Sequence, residues 1–344
     1  MGLLLLGALC ASAALVAYGL LRTMLHRNWM TGVLDHPNDR SLHRTPVPRI
    51  GGVGILGGAL ASLVLLAPSA LPGLWPVLAA AGVLAALGAY DDRHTAGAPL
   101  RLAIHLLLSL CIAGWLPTSF AATARETGLL AVPMIALAGL SIAWAANLFN
   151  FMDGADGIAG SMALFGFGTL SIAAGAHGEI AAVAAAIAGA AAGFLVLNWH
   201  PARMFMGDVG SVPLGFVAAS IGWYGWHAQA WPWWLPVLAF LPFIVDASMT
   251  LLLRALRAER IWRAHREHLY QLLVSAGLGH ARTARAYAGL MAADGVLALG
   301  LRSLPDRAAQ GGIVSLIIAS HVVGYLLVRR RLSRRSQAVR PRSI

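Results

Sequence analysis

Apolar residues run along this chain in long blocks, separated by short polar or Pro/Gly-containing breaks. A helix rising about 1.5 Å per residue needs roughly 20 apolar residues to cross the hydrocarbon of a bilayer. Eleven such blocks can be marked, at 2–22, 50–68, 74–90, 101–118, 129–149, 157–175, 180–198, 211–227, 232–253, 284–302 and 310–328. The pattern predicts an all-α, polytopic integral membrane protein of about eleven transmembrane helices. The first block has no positive residue ahead of its apolar core and is followed by Arg22 and Arg27, so it reads as an uncleaved first span. The longest polar stretches, 23–49 and 254–283, read as loops, and no segment is long enough for a soluble domain. One membrane domain over 1–328 and a basic tail over 329–344 are therefore expected.

Composition agrees. Of 344 residues, 58 % are hydrophobic and 11 % charged, and mean hydropathy is +0.72. A soluble domain carries about 25 % charged residues, so this chain lacks the polar surface to stay in water. Its formal charge of +11 would suggest nucleic acid in a soluble protein, but the charges follow the spans instead. All 25 basic residues are arginine, and with an outside N-terminus 22 of them fall in loops on one side and in the tail. Only Arg125, Arg302 and Arg307 fall on the other. Positive charge marks the cytoplasmic side, so the N-terminus is expected outside and the C-terminus in the cytoplasm. With no aromatic-basic module, a nucleic-acid partner is excluded, and anionic membrane lipid is the natural neighbour of the tail. Cys10 and Cys111 both lie in apolar runs, which leaves no disulfide framework or cysteine metal site.

The fourteen acids carry more information. Nine lie on the predicted cytoplasmic side, a bias that the rule for positive charge does not explain. Asp91 and Asp92 end the third block, Asp153 and Asp156 follow the fifth in NLFNFMDGADGIAG, and Asp208 stands in NWHPARMFMGDVGS before the eighth. Acids at helix ends can simply cap the next helix. The glycines flanking Asp153, Asp156 and Asp208 point further, because glycine lets backbone approach closely and bare its amides, as a phosphate or metal site requires. Hard oxygen donors suit Mg²⁺, with Mn²⁺ as a substitute, shared with substrate phosphates.

Two further features stand out. His265 and His268 lie one helical turn apart in AHREHLYQ, in an order that is not the HExxH of zinc proteases. With Arg254, Arg257, Arg260, Arg263 and Arg266 around them, an anion-binding surface is expected, although a basic helix on the membrane surface would look the same. Asp246 lies inside the ninth block, roughly 12 Å from its edge, where an ionisable residue suggests function.

Taken together, DHPNDRSLHRTPVPRIGG, the Asp91-Asp92 pair, NLFNFMDGADG, NWHPARMFMGDVGS, and Asp246 with HREHLYQ resemble the polyprenyl-phosphate N-acetylhexosamine-1-phosphate transferase family. The likeness runs from about residue 34 to 275, in order and on the matching loops. It implies a bacterial inner-membrane enzyme with a cytoplasmic catalytic site, using undecaprenyl phosphate and a UDP-N-acetylhexosamine with Mg²⁺. By position, Asp91 matches the aspartate acting on the lipid phosphate, and Asp92 its neighbour near the metal and diphosphate. Asp208 matches a Mg²⁺ ligand, and Asn147, Asn150, Asp153 and Asp156 match the nucleotide and diphosphate region, with Asp92 and Asp153 as further candidate ligands. Asn198 and Phe205 match positions that hold uracil, His265 and His268 the histidine motif, and Arg40, His43 and Arg49 the basic first loop. Asp246 goes with the substrate-binding set.

Departures narrow the substrate. Ser41 stands where the family often has a basic residue, and His105 where glutamine is common. His-Arg-Glu-His replaces the three adjacent histidines of the muramoyl-pentapeptide branch, which favours a simple UDP-N-acetylhexosamine, GlcNAc or a 6-deoxy sugar, for O-antigen or related glycans. The muramoyl-pentapeptide transferase is the alternative enzyme. A transporter is the alternative class, but transport sites lie near the midplane, where only Asp246 and Asp294 fall. Association into a homodimer is left open.

Overall fold

The computed structural model describes residues 2–27, 34–35, 46–94, 97–116, 131–260 and 265–339. Arg40, Ser41, His43, Arg125 and Arg263, named above, lie outside them. The chain is an all-α membrane protein. Its helices are α1 (Leu3–His26), α2 (Gly51–Leu66), α3 (Leu71–His94), α4 (Ala98–Trp115), α5 (Ala131–Phe151), α6 (Ile158–Ala174), α7 (Gly178–Asn198), α8 (Asp208–His227), α9 (Trp234–Ala239), α10 (Leu241–Leu256), α11 (Leu269–Leu273), α12 (Gly279–Leu301) and α13 (Arg307–Val339). Among the described residues, each of the eleven apolar blocks is helical, and seven helical segments are long and apolar enough to cross a membrane. The ninth block is broken at Phe240, between α9 and α10, and Pro242, which has no amide to donate, lies in the first turn of α10. Within the expected basic tail, residues 329–339 continue α13.

At the centre is α7, buried along nearly its whole length between α1 and α6. Its AAVAAAIAGAAAG run has no bulk to hold neighbours off, and Gly189 and Gly193 meet the backbone of Cys10 and Ala14 on α1. Small residues of this kind let helices close up in lipid, where apolar packing against more apolar surface brings no net gain. Around this core, α2 and α3 pack on α8, and α5 packs on α4 and α8.

A small non-helical brace joins the first loop to the seventh-to-eighth connection. Leu34–Asp35 (β1) pairs antiparallel with Val47–Pro48 (β2), and Arg49 pairs with Phe205. Phe205 donates its N–H to Pro48 O at 2.8 Å, while Gly51 and Gly52 donate to Phe205 O and Met206 O at 2.8 and 2.9 Å. The brace seats the start of α2 against the start of α8, where a Cβ on Gly210 would lie 2.5 Å from Gly52 Cα. Helix ends carrying Asp91, Asp153 and Asp208 thereby reach one end of the bundle, whereas Arg302, donating to Ala173 O, marks the other.

Candidate active site

Four of the predicted carboxylates meet. Arg101, in the first turn of α4, donates to Asp91 Oδ2 and, at 3.1 Å, to Asp208 Oδ2. Asn150 at the end of α5 donates to Asp208 Oδ1 at 2.7 Å and reaches Ser211 Oγ at 3.0 Å. Asp92 faces the opening amides of α8, accepting from Asp208 N and Val209 N at 3.4 Å each. These are amides that the helix itself cannot satisfy, so a carboxylate from α3 caps α8. Asp153 completes the group: packing around it and repulsion from Asp208 and Asp92 push its carboxyl well above the usual range, against the pull of Arg49 and the Gly207 amide.

Glycine makes these approaches possible. Gly207 sits at φ 75°, a left-handed conformation that side chains disfavour, and a Cβ there would stand 2.5 Å from Arg49 O and 2.9 Å from Asp92 Oδ2. A Cβ on Gly88 would lie 2.5 Å from the Asp208 carbonyl. The glycine setting noticed in the sequence thus serves the packing of α3 and α8 at the site as well as the loop itself.

The donor set of Asp92, Asp153 and Asp208 is all oxygen. Asp208 and Asp92 repel the Asp153 carboxylate, a charge that a hard divalent cation would offset, and the chemistry of the donor set is of the kind Mg²⁺ takes. Arg49 and Arg101 balance part of the charge. Arg49 also pairs with Asp35 at 3.0 Å.

Asp156 stands apart, although it is three residues from Asp153 in the chain. His200 Nδ1 is 2.6 Å from its Oδ2 and His280 Nδ1 3.3 Å from its Oδ1, and Ala202 donates to Oδ2 at 3.1 Å. Burial alone would raise this carboxyl; the bonds from His280 and His200 outweigh it and bring it down to about 2.

The histidine turn is held from below. Asp246 is buried, and its carboxylate accepts from Leu269 N at 2.7 Å, Tyr270 N at 3.1 Å, Tyr287 Oη at 2.5 Å and Thr250 Oγ1 at 3.3 Å. It therefore caps α11 and fixes His268, 3.7 Å away, rather than opening toward a ligand. His268 stacks on Phe151 and Tyr270, with centroids 6.0 Å apart in each pair, and Tyr270 donates to Phe151 O at 3.0 Å. These contacts bring the turn against the end of α5, beside Asp153. His265 lies 4.9 Å from His268 between ring centres. Burial, then the neighbouring His268 and Arg254, pull its imidazole down to about 4.

Two of the five arginines of the expected anion surface are paired within the protein. Arg254 pairs with Glu259 at 2.8 Å and with Glu267, Arg257 pairs with both acids, and Arg329 of α13 binds Glu267 at 2.9 Å. Both acids were in plain view in the sequence, but nothing along the chain says which arginines they neutralise.

Of the other expected residues, Asn198 is buried as a brace, accepting from Gly157 N and donating to Met204 O at 2.9 Å each. Asn147 donates to Ala143 O at 2.7 Å within α5, on the side facing His105. Phe205 is half-exposed at the brace. Arg101, Ser211, His200 and His280 were not singled out from the sequence. Arg101 looked like any arginine at a membrane boundary.

A long apolar groove runs along α5. Its volume is about 490 Å³, and it is lined by α5, α8, α9 and the start of α10, from Phe149 and Leu148 to Met134. Phe149 precedes Asn150 in α5, so one end of the groove lies at the end of the helix that carries Asn150; along α5 it extends roughly 22 Å.

Residues 74–225 match the glycosyl transferase family 4 profile. Among curated proteins, the phospho-N-acetylmuramoyl-pentapeptide-transferase of Thermosynechococcus vestitus is 31 % identical, covering 69 % of this chain and 68 % of its own. The decaprenyl-phosphate N-acetylglucosaminephosphotransferase of Mycolicibacterium smegmatis is 29 % identical over 93 % and 88 %. The probable undecaprenyl-phosphate N-acetylglucosaminyl 1-phosphate transferase of Bacillus subtilis is 26 % identical over 72 % of each chain.

Proposed function

The chain belongs to the polyprenyl-phosphate N-acetylhexosamine-1-phosphate transferase family, and we propose that its donor is the UDP-sugar of GlcNAc or a 6-deoxy-N-acetylhexosamine and its acceptor undecaprenyl phosphate. It is a polyprenyl-phosphate sugar-1-phosphate transferase of a multi-pass membrane type. The products are undecaprenyl-diphosphate-HexNAc and UMP, made on the cytoplasmic face of the inner membrane as the first step of an O-antigen or related surface glycan. The observation carrying this reading is a carboxylate-arginine cluster at the end of α5 with an apolar groove along the same helix, which suits a lipid whose head is a phosphate.

In the reaction, the terminal oxygen of the lipid phosphate attacks the β-phosphorus of the UDP-sugar. The new P–O bond forms as the bond from β-phosphorus to the bridging oxygen breaks, and that oxygen leaves with UMP. Such transfers need positioning and charge neutralisation more than covalent help. Mg²⁺, held by Asp208 with Asp92 and Asp153, would supply most of the positive charge on the diphosphate. Arg101 fixes Asp91 and Asp208 relative to each other. A phosphate monoester is largely dianionic at neutral pH, its second pKa being near 6, so Asp91 orients the nucleophile and takes the proton from the monoanionic fraction. The apolar groove takes the prenyl chain. His265, neutral at pH 7, is a hydrogen-bonding group at the sugar end.

The deciding experiment supplies purified protein with undecaprenyl phosphate, Mg²⁺ and separately labelled UDP-GlcNAc, UDP-GalNAc, UDP-6-deoxy-HexNAc or UDP-MurNAc-pentapeptide. Label on the lipid from UDP-GlcNAc or the 6-deoxy donor, with equal UMP, is expected. Label from the muramoyl donor alone, or from none, overturns the proposal.

A further inference from the structure

We propose that Arg329, on the last helix, is a positioning residue for the histidine turn, holding His265 and His268 where the donor's sugar and diphosphate meet them. The inference rests on the transferase reading above and adds to it a residue well outside positions 34–275, which carry the family likeness. Nothing along the chain marks it out, since it is the first of three adjacent arginines at 329–331.

Arg329 grips the residue just before His268. One guanidinium nitrogen donates to Glu267 O at 2.8 Å and the other to Glu267 Oε2 at 2.9 Å. Arg254 and Arg257 of α10 bind the same carboxylate, but of the three only Arg329 is bonded to the main chain of Glu267 as well. The nitrogen on the carbonyl also donates to Tyr325 Oη at 2.8 Å, one turn earlier on α13, and Tyr325 Oη lies 2.9 Å from Thr250 Oγ1. Thr250 reaches Asp246 Oδ1 at 3.3 Å, and Asp246 holds the amides of Leu269 and Tyr270. A carboxylate only accepts, so Thr250 donates to Asp246 and accepts from Tyr325, and the chain of donors runs one way from the guanidinium to Asp246. The residues before and after His268 are thus tied to one arginine, directly on one side and through Tyr325, Thr250 and Asp246 on the other.

Little of α13 is buried, 11 % of its apolar stretch against 83 % for α7. Apolar surface gains little by packing on protein instead of lipid, so polar contacts bear on where this helix sits. One set is at the histidine turn. Another is His321 Nε2, 3.0 Å from Asp294 Oδ2 on α12, eight residues or about 12 Å back along α13 from Arg329. That pair anchors the same helix away from the turn, which supplies a control. A guanidinium bonded to both a carboxylate and a carbonyl fixes orientation as well as distance. Misplacing a positioned group by about 1 Å can cost on the order of a hundredfold in rate, so this clamp bears on how well the imidazoles meet the donor.

The test measures initial rates of UMP release by full-length protein in detergent, with UDP-GlcNAc and undecaprenyl phosphate varied separately. Arg329→Gln should lower kcat/KM for the donor on the order of tenfold to a hundredfold while leaving KM for undecaprenyl phosphate within about twofold. Tyr325→Phe keeps the ring and removes the hydroxyl; it should show a smaller donor effect, and it carries the test if Arg329→Gln does not fold. The double variant should lose less than the product of the two single losses, because both cut one chain. His321→Gln should lower the melting temperature and leave donor kcat/KM unchanged. Hydrogen exchange on the ligand-free protein reads the clamp without turnover: the peptide over 265–273 should exchange at least about tenfold faster in Arg329→Gln than in wild type or His321→Gln. A wild type that turns over no UDP-GlcNAc counts against the donor assigned above and leaves the exchange measurement to decide on the clamp. Normal donor kcat/KM in folded Arg329→Gln, an equal loss in His321→Gln, or unchanged exchange overturns the inference.

Discussion

Arg101 and Asp208, 107 positions apart in the chain, are joined at 3.1 Å across the mouth of the site. The same guanidinium group binds Asp91, so one cation spaces the two acids that the proposed reaction assigns to different phosphates. It also competes with any divalent cation for Asp208. Arg101→Gln should therefore act in two directions: Mg²⁺ half-saturation falls, because a competing charge is gone, while turnover falls roughly 10- to 100-fold, the scale of a lost charge-assisted hydrogen bond. Initial rates of UMP release across a Mg²⁺ series separate the two, and a variant with weaker Mg²⁺ dependence and normal turnover would sink this account of Arg101.

Asp91→Asn and Asp208→Asn keep the size of each side chain and remove its charge. Each should lower transfer by at least about a hundredfold, typical of losing a positioned catalytic group. Thermal unfolding should show both variants folded. Near-normal UMP release from either one would remove that residue from the mechanism.

Gly88 offers a test of the packing that presents Asp208. Its added Cβ would meet the Asp208 carbonyl at 2.5 Å, with backbone rather than a flexible side chain as the obstacle. Gly88→Ala should destabilise the protein by about 1–3 kcal/mol through overpacking, and should also lower turnover because α8 must shift where Asp208 begins it. Gly82 lies on the same helix with nothing within 4 Å of its Cβ position, and Gly82→Ala should leave both unchanged. Melting temperature and UMP release, measured on the pair, check this.

What could be read from the sequence was whatever depends on local pattern. The apolar blocks became helices because lipid demands that every backbone group be satisfied within its own segment, and Asp91, Asp92, Asp153 and Asp208 met because each ends or begins such a helix on one side. Long-range pairing was not readable. Asp246 looked like a functional charge in a membrane span, yet the break at Phe240 turns it toward α11, where backbone amides and Tyr287 use its carboxylate. Asp153 and Asp156 looked like one pair, but the intervening Gly154–Gly157 turn sends the second to His200 and His280. Arg254 and Arg257 looked like an anion surface until Glu259 and Glu267 claimed them.

His265 gives the protein a pH signature. Burial, with His268 and Arg254 close by, holds it at about 4, below the ordinary 6.5 of an imidazole. Between those values the unfolded chain binds a proton that the folded chain refuses, so stability should rise with pH across about 4 to 6.5 and be lost as pH falls through that window. Asp156 acts in the same sense but lower, between about 2 and the ordinary 3.8, so the two do not overlap. Melting temperatures of wild type and His265→Gln, taken from pH 4.5 to 7.5, isolate the effect. Wild type should lose more stability than the variant as pH drops below 6.5, and parallel curves would show that His265 does not carry the dependence.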